Sequence, residues 1–255
     1  MKKQKKKAFY SEKMTYLIEK SKKALKEGGL PLLIKRSINF SFRKCSPLLP
    51  QVYRKYNGVK VPSHKLFGKF IPFIETKNRP NYEQGLINSL EENVKKGDKI
   101  IVCGGGLGVT AVKAAFLNKS PSKVSVYEGS KSQLEKIEET LNINDVSDIE
   151  LNHAIIGEEK NIWGSSKGAK TISPEDLPDC DILELDIEGS EIGVLKNLEI
   201  NPRTIIVETH GNNGAPTEKV KQILLDKEYE ITNIELAEKN EHAKKNDIKV
   251  ITAKS

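Results

Sequence analysis

The sequence predicts an α/β fold. Its core is a seven-stranded, mostly parallel sheet covered by helices on both faces, with an antiparallel final strand and a basic, helical N-terminal extension in front. Three observations predict it. Beyond Pro80, short apolar runs alternate with amphipathic stretches, the pattern of parallel strands joined by helical crossovers. The first run ends in a glycine-rich turn that opens a helix. The last two runs are joined by a polar segment, 237–246, without an apolar helical face, which points to an antiparallel hairpin at one sheet edge. At 255 residues and 37% hydrophobic, the chain is long and apolar enough for one large domain, or for one domain with an extension.

Residues 9–27 read as a basic amphipathic helix that Gly28-Gly29 ends. Residues 30–44 mix apolar side chains with Lys35, Arg36, Arg43 and Lys44, and five prolines between 45 and 80 favour an irregular or extended path. The extension is therefore placed at 1–80 and the sheet domain at 81–255. In 81–95, Leu86, Ile87, Leu90 and Val94 share one helical face, and Lys96-Gly97-Asp98 turns the chain. Strands are expected at 99–103, 123–127, 150–156, 181–186, 203–208, 229–235 and 247–253, and further helices at 108–117, 130–141, 190–198 and 216–227.

Charge divides the chain. Residues 1–70 carry 19 Lys or Arg and three Glu, a net of +16, while 71–255 carry 23 Lys or Arg and 32 Asp or Glu, a net of −9. A basic arm on an acidic body is a poor description of a uniformly basic nucleic-acid-binding domain. Cys45, Cys103 and Cys180 are scattered and odd in number, so a disulfide framework and a structural zinc site are not expected. No apolar run approaches the ~18–20 residues of a membrane span. The lysine-rich start is not followed by an apolar signal core. A cytoplasmic protein is expected, with peripheral contact at the inner membrane face through the arm.

Gly104, Gly105, Gly106 and Gly108 follow the first strand of the sheet domain. Such a turn brings the backbone close to a ligand and offers helix N–H groups to it. The nicotinamide-type pattern would need glycine at 109, where Val109 stands. The second strand ends at Glu128, and an acid there can accept both hydroxyls of an adenosine ribose. With these residues the chain resembles the class I methyltransferases, a Rossmann-like fold that binds S-adenosylmethionine. The resemblance implies that the glycine turn lies beside the methionine end of that cofactor and that Glu128 holds the ribose. The family often has an acid two residues before the first glycine. Val102 stands there instead, so amino-group recognition falls to other residues, with Tyr82 and Glu83 as candidates.

Asp186 and Glu188 end the fourth strand, and Glu208 and His210 end the fifth, so all four belong to one sheet edge. Glu184 alternates with leucines and is expected to point across the sheet surface, and Glu191 fits a helix-dipole role as well as a functional one. An imidazole at this edge suits proton removal from a hydroxyl. His64, His153 and His242 have weaker claims. The spacing Asp186, Glu188, Gly189, Glu191, Leu195, with the later Glu208 and His210, resembles the FkbM methyltransferases over about residues 81–236, in wording close to archaeal members. Glu184 departs from that pattern, since many relatives carry lysine there. The resemblance implies O-methylation of a sugar, glycan or glycolipid. From their place at the sheet edge, Asp186, Glu188 and His210 are the candidate catalytic residues. No resident metal is expected, although an ion bridged by Asp186, Glu188 and His210 is chemically conceivable. Two other readings stay open. One is an RNA methyltransferase using the basic–aromatic arm (Phe40, Phe42, Arg43, Tyr53, Arg54, Tyr56). The other is a non-catalytic relative that binds a membrane surface or a partner. Trp163, alone in a Gly/Ser-rich stretch, is a sugar-stacking, lid or surface-anchor candidate.

Overall fold

A computed structural model describes residues 52–63, 78–159 and 164–255. The expected basic helix over 9–27, segment 30–44, His64 and Trp163 lie outside the described residues. The described chain opens with β1 (Val52–Tyr56) and β2 (Val59–Ser63), a hairpin. Asn57 and Gly58 form its turn with φ of +45° and +83°, as a type I′ turn requires. This local Asn-Gly signal outweighs the prolines that pointed to an irregular path. Val59 and Val61 join the main core, and the Asn144 side chain holds the Lys60 backbone from both sides (N to Oδ1 3.1 Å, Nδ2 to O 2.7 Å).

The remaining helices and strands follow in the expected alternation. They are α1 (Gln84–Asn93), β3 (Ile100–Cys103), α2 (Val109–Asn118), β4 (Val124–Glu128), α3 (Lys131–Ile143), β5 (Glu150–Ile156), β6 (Lys170–Ile172), β7 (Ile182–Leu185), α4 (Glu191–Lys196), β8 (Thr204–Glu208), α5 (Thr217–Asp226), β9 (Glu230–Leu236), α6 (Glu241–Lys245) and β10 (Lys249–Lys254). The sheet order is β6-β5-β4-β3-β7-β8-β10-β9. It has eight strands rather than the seven expected. The addition is β6, three residues in a Gly/Ser/Lys-rich stretch, too short to show any alternation. As expected, β10 runs antiparallel, inserted between β8 and β9.

Period-two alternation divides each strand between two cores. Ile100, Val102, Val124, Val126, Ile182 and Ile206 pack against Leu86, Ile87 and Leu90 of α1, and against α2 and α3. Ile101, Cys103, Leu183, Leu185, Ile205 and Val207 pack against Leu195 of α4 and Val220 and Leu224 of α5. Burying one such leucine or isoleucine stabilises by about 1.5–3 kcal/mol, so residues on both faces fix the strand register. β3 is flanked by β4 on one side and β7 on the other. From β3 the chain crosses over to β4 and then β5, and it later returns to β7 on the opposite side. The loops after β3 and β7 therefore part at this point and leave a crevice at the strands' C-terminal ends. Among the described residues no helix is long and apolar enough to cross a membrane.

Candidate active site

The crevice is a cavity of about 750 Å³, lined at its floor by Gly104, Gly106, Glu128 and Asp186. Gly104 has φ +89°, and a Cβ there would stand 1.7 Å from the Asp186 carbonyl oxygen. Only glycine lets the β3 turn pass this close to the β7 end, where the Asp186 N–H donates to the Cys103 carbonyl at 2.9 Å. Gly106 faces the cavity, whereas Gly105 and Gly108 lie beneath it, tight against Ile137 of α3. The Glu128 carboxylate accepts the Ser130 N–H at 2.7 Å. Burial raises its pKa, and the amides of Ser130, Gly105 and Gly106 oppose that rise.

Glu83 reaches the same turn from the start of α1. Its φ is +52°, and its Oε1 would lie 3.3 Å from a Cβ at Gly106. Burial pushes its pKa well up and nearby Asp186 adds to this, while the Tyr82 hydroxyl opposes it. Arg79 stacks over Tyr82 at 4.6 Å and pairs with Glu238 at 3.2 Å. Val102 is fully buried in the core. The carboxylate at the glycine turn therefore comes from the α1 entry, and the acid-bearing strand position of the family pattern is filled by packing.

The polar cluster at the sheet edge joins residues from three segments. His210 is 4% exposed, anchored by backbone bonds with Ala215. Its Nδ1–H donates to Glu191 Oε1 at 2.8 Å. That oxygen also accepts the Gly189 and Ile187 N–H groups, at 3.1 and 3.3 Å. A carboxylate only accepts, so Glu191 fixes the proton on Nδ1 and leaves Nε2 facing the cavity. Nε2 lies 3.5 Å from Asp186 Oδ1, 3.7 Å from Glu188 Oε2 and 3.7 Å from Glu208 Oε1. Burial works against charge on His210, but the Glu191 hydrogen bond and the carboxylates of Asp186, Glu191 and Glu188 outweigh it and push the imidazole up to about 9. Burial raises Asp186, with His210 opposing, and burial together with Asp186 and Glu83 raises Glu208 well above the usual carboxylate range. Glu188 has φ +54° and accepts the Asn213 amide at 3.1 Å.

Gly104, Gly106, Glu83, Glu128, Asp186, Glu188 and His210 thus share one cavity. Sequence reasoning left Glu191 undecided because its position, the first residue of a helix, already has a local explanation. Glu238 and Arg79 carried no motif. His242 lines the cavity from α6, and His153 sits within β5 as expected, bonded to the Gly129 carbonyl at 3.1 Å. Glu184 is fully buried, and its side chain shares the sheet face of Ile182 and Ile206 under the helices. Both of its oxygens are buried without a full hydrogen-bond partner, and the nearby Thr110 hydroxyl only partly offsets the burial. Burial pushes its pKa up to about 8.

Two solved structures are similar. One is a ribosomal protein L11 methylase from Lactobacillus delbrueckii subsp. bulgaricus (TM-score 0.50, 16% identity, covering 69% of this chain and 79% of that one). The other is a tRNA m1G37 methyltransferase from M. jannaschii (TM-score 0.51, 11% identity, covering 80% of this chain and 54% of that one). At these identities the likeness is one of fold. Among curated proteins no sequence match was found. The Methyltransferase FkbM domain matches residues 70–231, well over half of the chain. The strand order, the glycine turn and this match agree, and the chain belongs to the FkbM methyltransferase domain family.

Proposed function

We propose that the protein transfers a methyl group from S-adenosylmethionine to a hydroxyl oxygen of a sugar, glycan or glycolipid. The observation that carries this reading is the continuity of one cavity. It runs from Glu128 past Gly106 and Glu83 to the cluster of Asp186, Glu188 and His210. The cradle suits the cofactor. Glu128 would hold the ribose hydroxyls, the glycine turn leaves space without side chains, and Glu83 would offer a carboxylate to an amino group. Bound there, S-adenosylmethionine supplies a methyl carbon activated by a sulfonium. The acceptor oxygen bonds to that carbon as the carbon–sulfur bond breaks, and the bonding pair leaves with sulfur. Asp186, Glu188 and His210 orient the hydroxyl, and the carboxylates of this cluster, which keep the imidazole charged near neutral pH, take up its proton.

Five carboxylates face the cavity around this end: Glu83, Asp186, Glu188, Glu208 and Glu238. This dense set of carboxyl groups offers hydrogen-bond partners to an acceptor hydroxyl. The catalytic domain is assigned to 81–255, with the 52–63 hairpin packed against it. The basic residues of 1–80 outside that hairpin are assigned to holding the enzyme at an anionic membrane surface. The test is incubation of the full chain with methyl-labelled S-adenosylmethionine and fractionated cell extract. The expected result is label in alkali-stable ethers of the glycan or glycolipid fraction, with the enzyme sedimenting with membranes at low salt. Label confined to RNA or protein contradicts the acceptor assignment.

A further inference from the structure

We propose that Asp186, Glu208 and His210 form a binding site for a divalent cation, with Glu191 as the positioning residue behind the imidazole. The site's place in catalysis rests on the methyltransferase reading, whereas its capacity to bind the ion does not. One donor atom from each of the three residues lies within 4.8 Å of the others. His210 Nε2 stands 3.5 Å from Asp186 Oδ1 and 3.7 Å from Glu208 Oε1. These separations are too long for good hydrogen bonds. They are close to the spacing of ligands around a shared ion, because donors about 2.1 Å from one cation stand roughly 3.0–3.6 Å apart.

The imidazole supplies a second, independent observation. Its side chain is 5% exposed, its Nδ1–H is held by Glu191, and Nε2 points at the cavity without a hydrogen bond. This is how metal-ligating histidines are held: a carboxylate on one ring nitrogen fixes the lone pair of the other. The three donors also sit on rigid supports. Asp186 directly follows β7, Glu208 ends β8, and His210 is tied to Ala215 by backbone bonds, so little has to be ordered on binding. Among the described residues, Asp186 and Glu208 form ion pairs with His210 only, while the cavity's Arg79 is taken by Glu238. One imidazole nitrogen and two carboxylate oxygens, open towards the cavity, suit a first-row divalent ion such as Mn²⁺ or Zn²⁺. An ion held there draws an acceptor hydroxyl to the reacting end and eases its deprotonation.

The experiment uses the full chain, stripped with chelator and titrated calorimetrically with Mn²⁺, with Zn²⁺ as a second probe. S-adenosylmethionine binding is measured on the same preparation. One saturable site for either ion is expected. Asp186→Asn and Glu208→Gln should each weaken uptake at least tenfold, and Glu191→Gln about tenfold or more, each in a variant with wild-type circular dichroism. No saturable uptake by the wild type overturns the proposal, as does uptake unchanged in both Asp186→Asn and Glu208→Gln, which marks adventitious surface binding. Cofactor binding without metal uptake removes the metal site and leaves the methyltransferase reading standing. Metal uptake without cofactor binding does the reverse.

Discussion

His210 is one of four histidines, and its chemistry is set by residues distant in sequence. Its location at the sheet edge was legible because β8 reads plainly as a strand and the residue lies just past its end. Its partner was not, because Glu191 lies nineteen positions away and meets it only once β7 and β8 stand side by side. Glu83 was legible only through the resemblance, since its carboxyl reaches Gly106 by a left-handed residue at the start of α1. The face of Glu184 was legible from alternation, whereas its lack of a hydrogen-bond partner was not, because that depends on the side chains packed around it. His210→Ala should lower turnover by about 100-fold or more and leave S-adenosylmethionine affinity within about twofold, because the proposed cofactor contacts are Glu83, the glycine turn and Glu128. Equal loss of both in single-turnover and calorimetric measurements would contradict the division of labour.

Long, strongly patterned elements were readable, and short ones were not. α1 to α5 and the seven expected strands fall within a few residues of their sequence positions, because each combines periodicity with a clear breaker such as Gly97 or Pro216. β6 and α6 are three and five residues long, below the length at which periodicity is defined. One loop-to-helix joint can be tested directly. Asp247, just before β10, accepts the Thr217 N–H at 2.9 Å and the Thr217 hydroxyl at 3.0 Å, so it tethers the first turn of α5. Burial works against its charge, but these donors and Lys249 hold its carboxyl below the ordinary value. A depressed folded pKa contributes stability at neutral pH that is lost as pH falls through it. Asp247→Asn should therefore lower the melting temperature at pH 7 and make it less sensitive to pH between about 5 and 3. An unchanged pH profile in thermal melts would show that the tether contributes nothing.

For the whole molecule, the divided charge and the sheet topology separate two tasks. The acidic residues 71–255 hold the sheet, the cradle and the carboxylate cluster, and the switch point between β3 and β7 is what places them in one cavity. That arrangement was legible as a whole because the glycine turn, the Glu128 strand end and the Asp186–His210 edge each mark a C-terminal strand end, and in a parallel sheet such ends converge. The acceptor was not legible, because much of the cavity's lining comes from loops and from α6, whose residues carry no pattern. The central claim is that this cavity binds S-adenosylmethionine. Calorimetric titration of the full chain with that cofactor tests it most directly. One site per chain is expected, with Glu128→Ala weakening it at least tenfold. No binding to the folded wild-type protein, or binding untouched by Glu128→Ala, would contradict it.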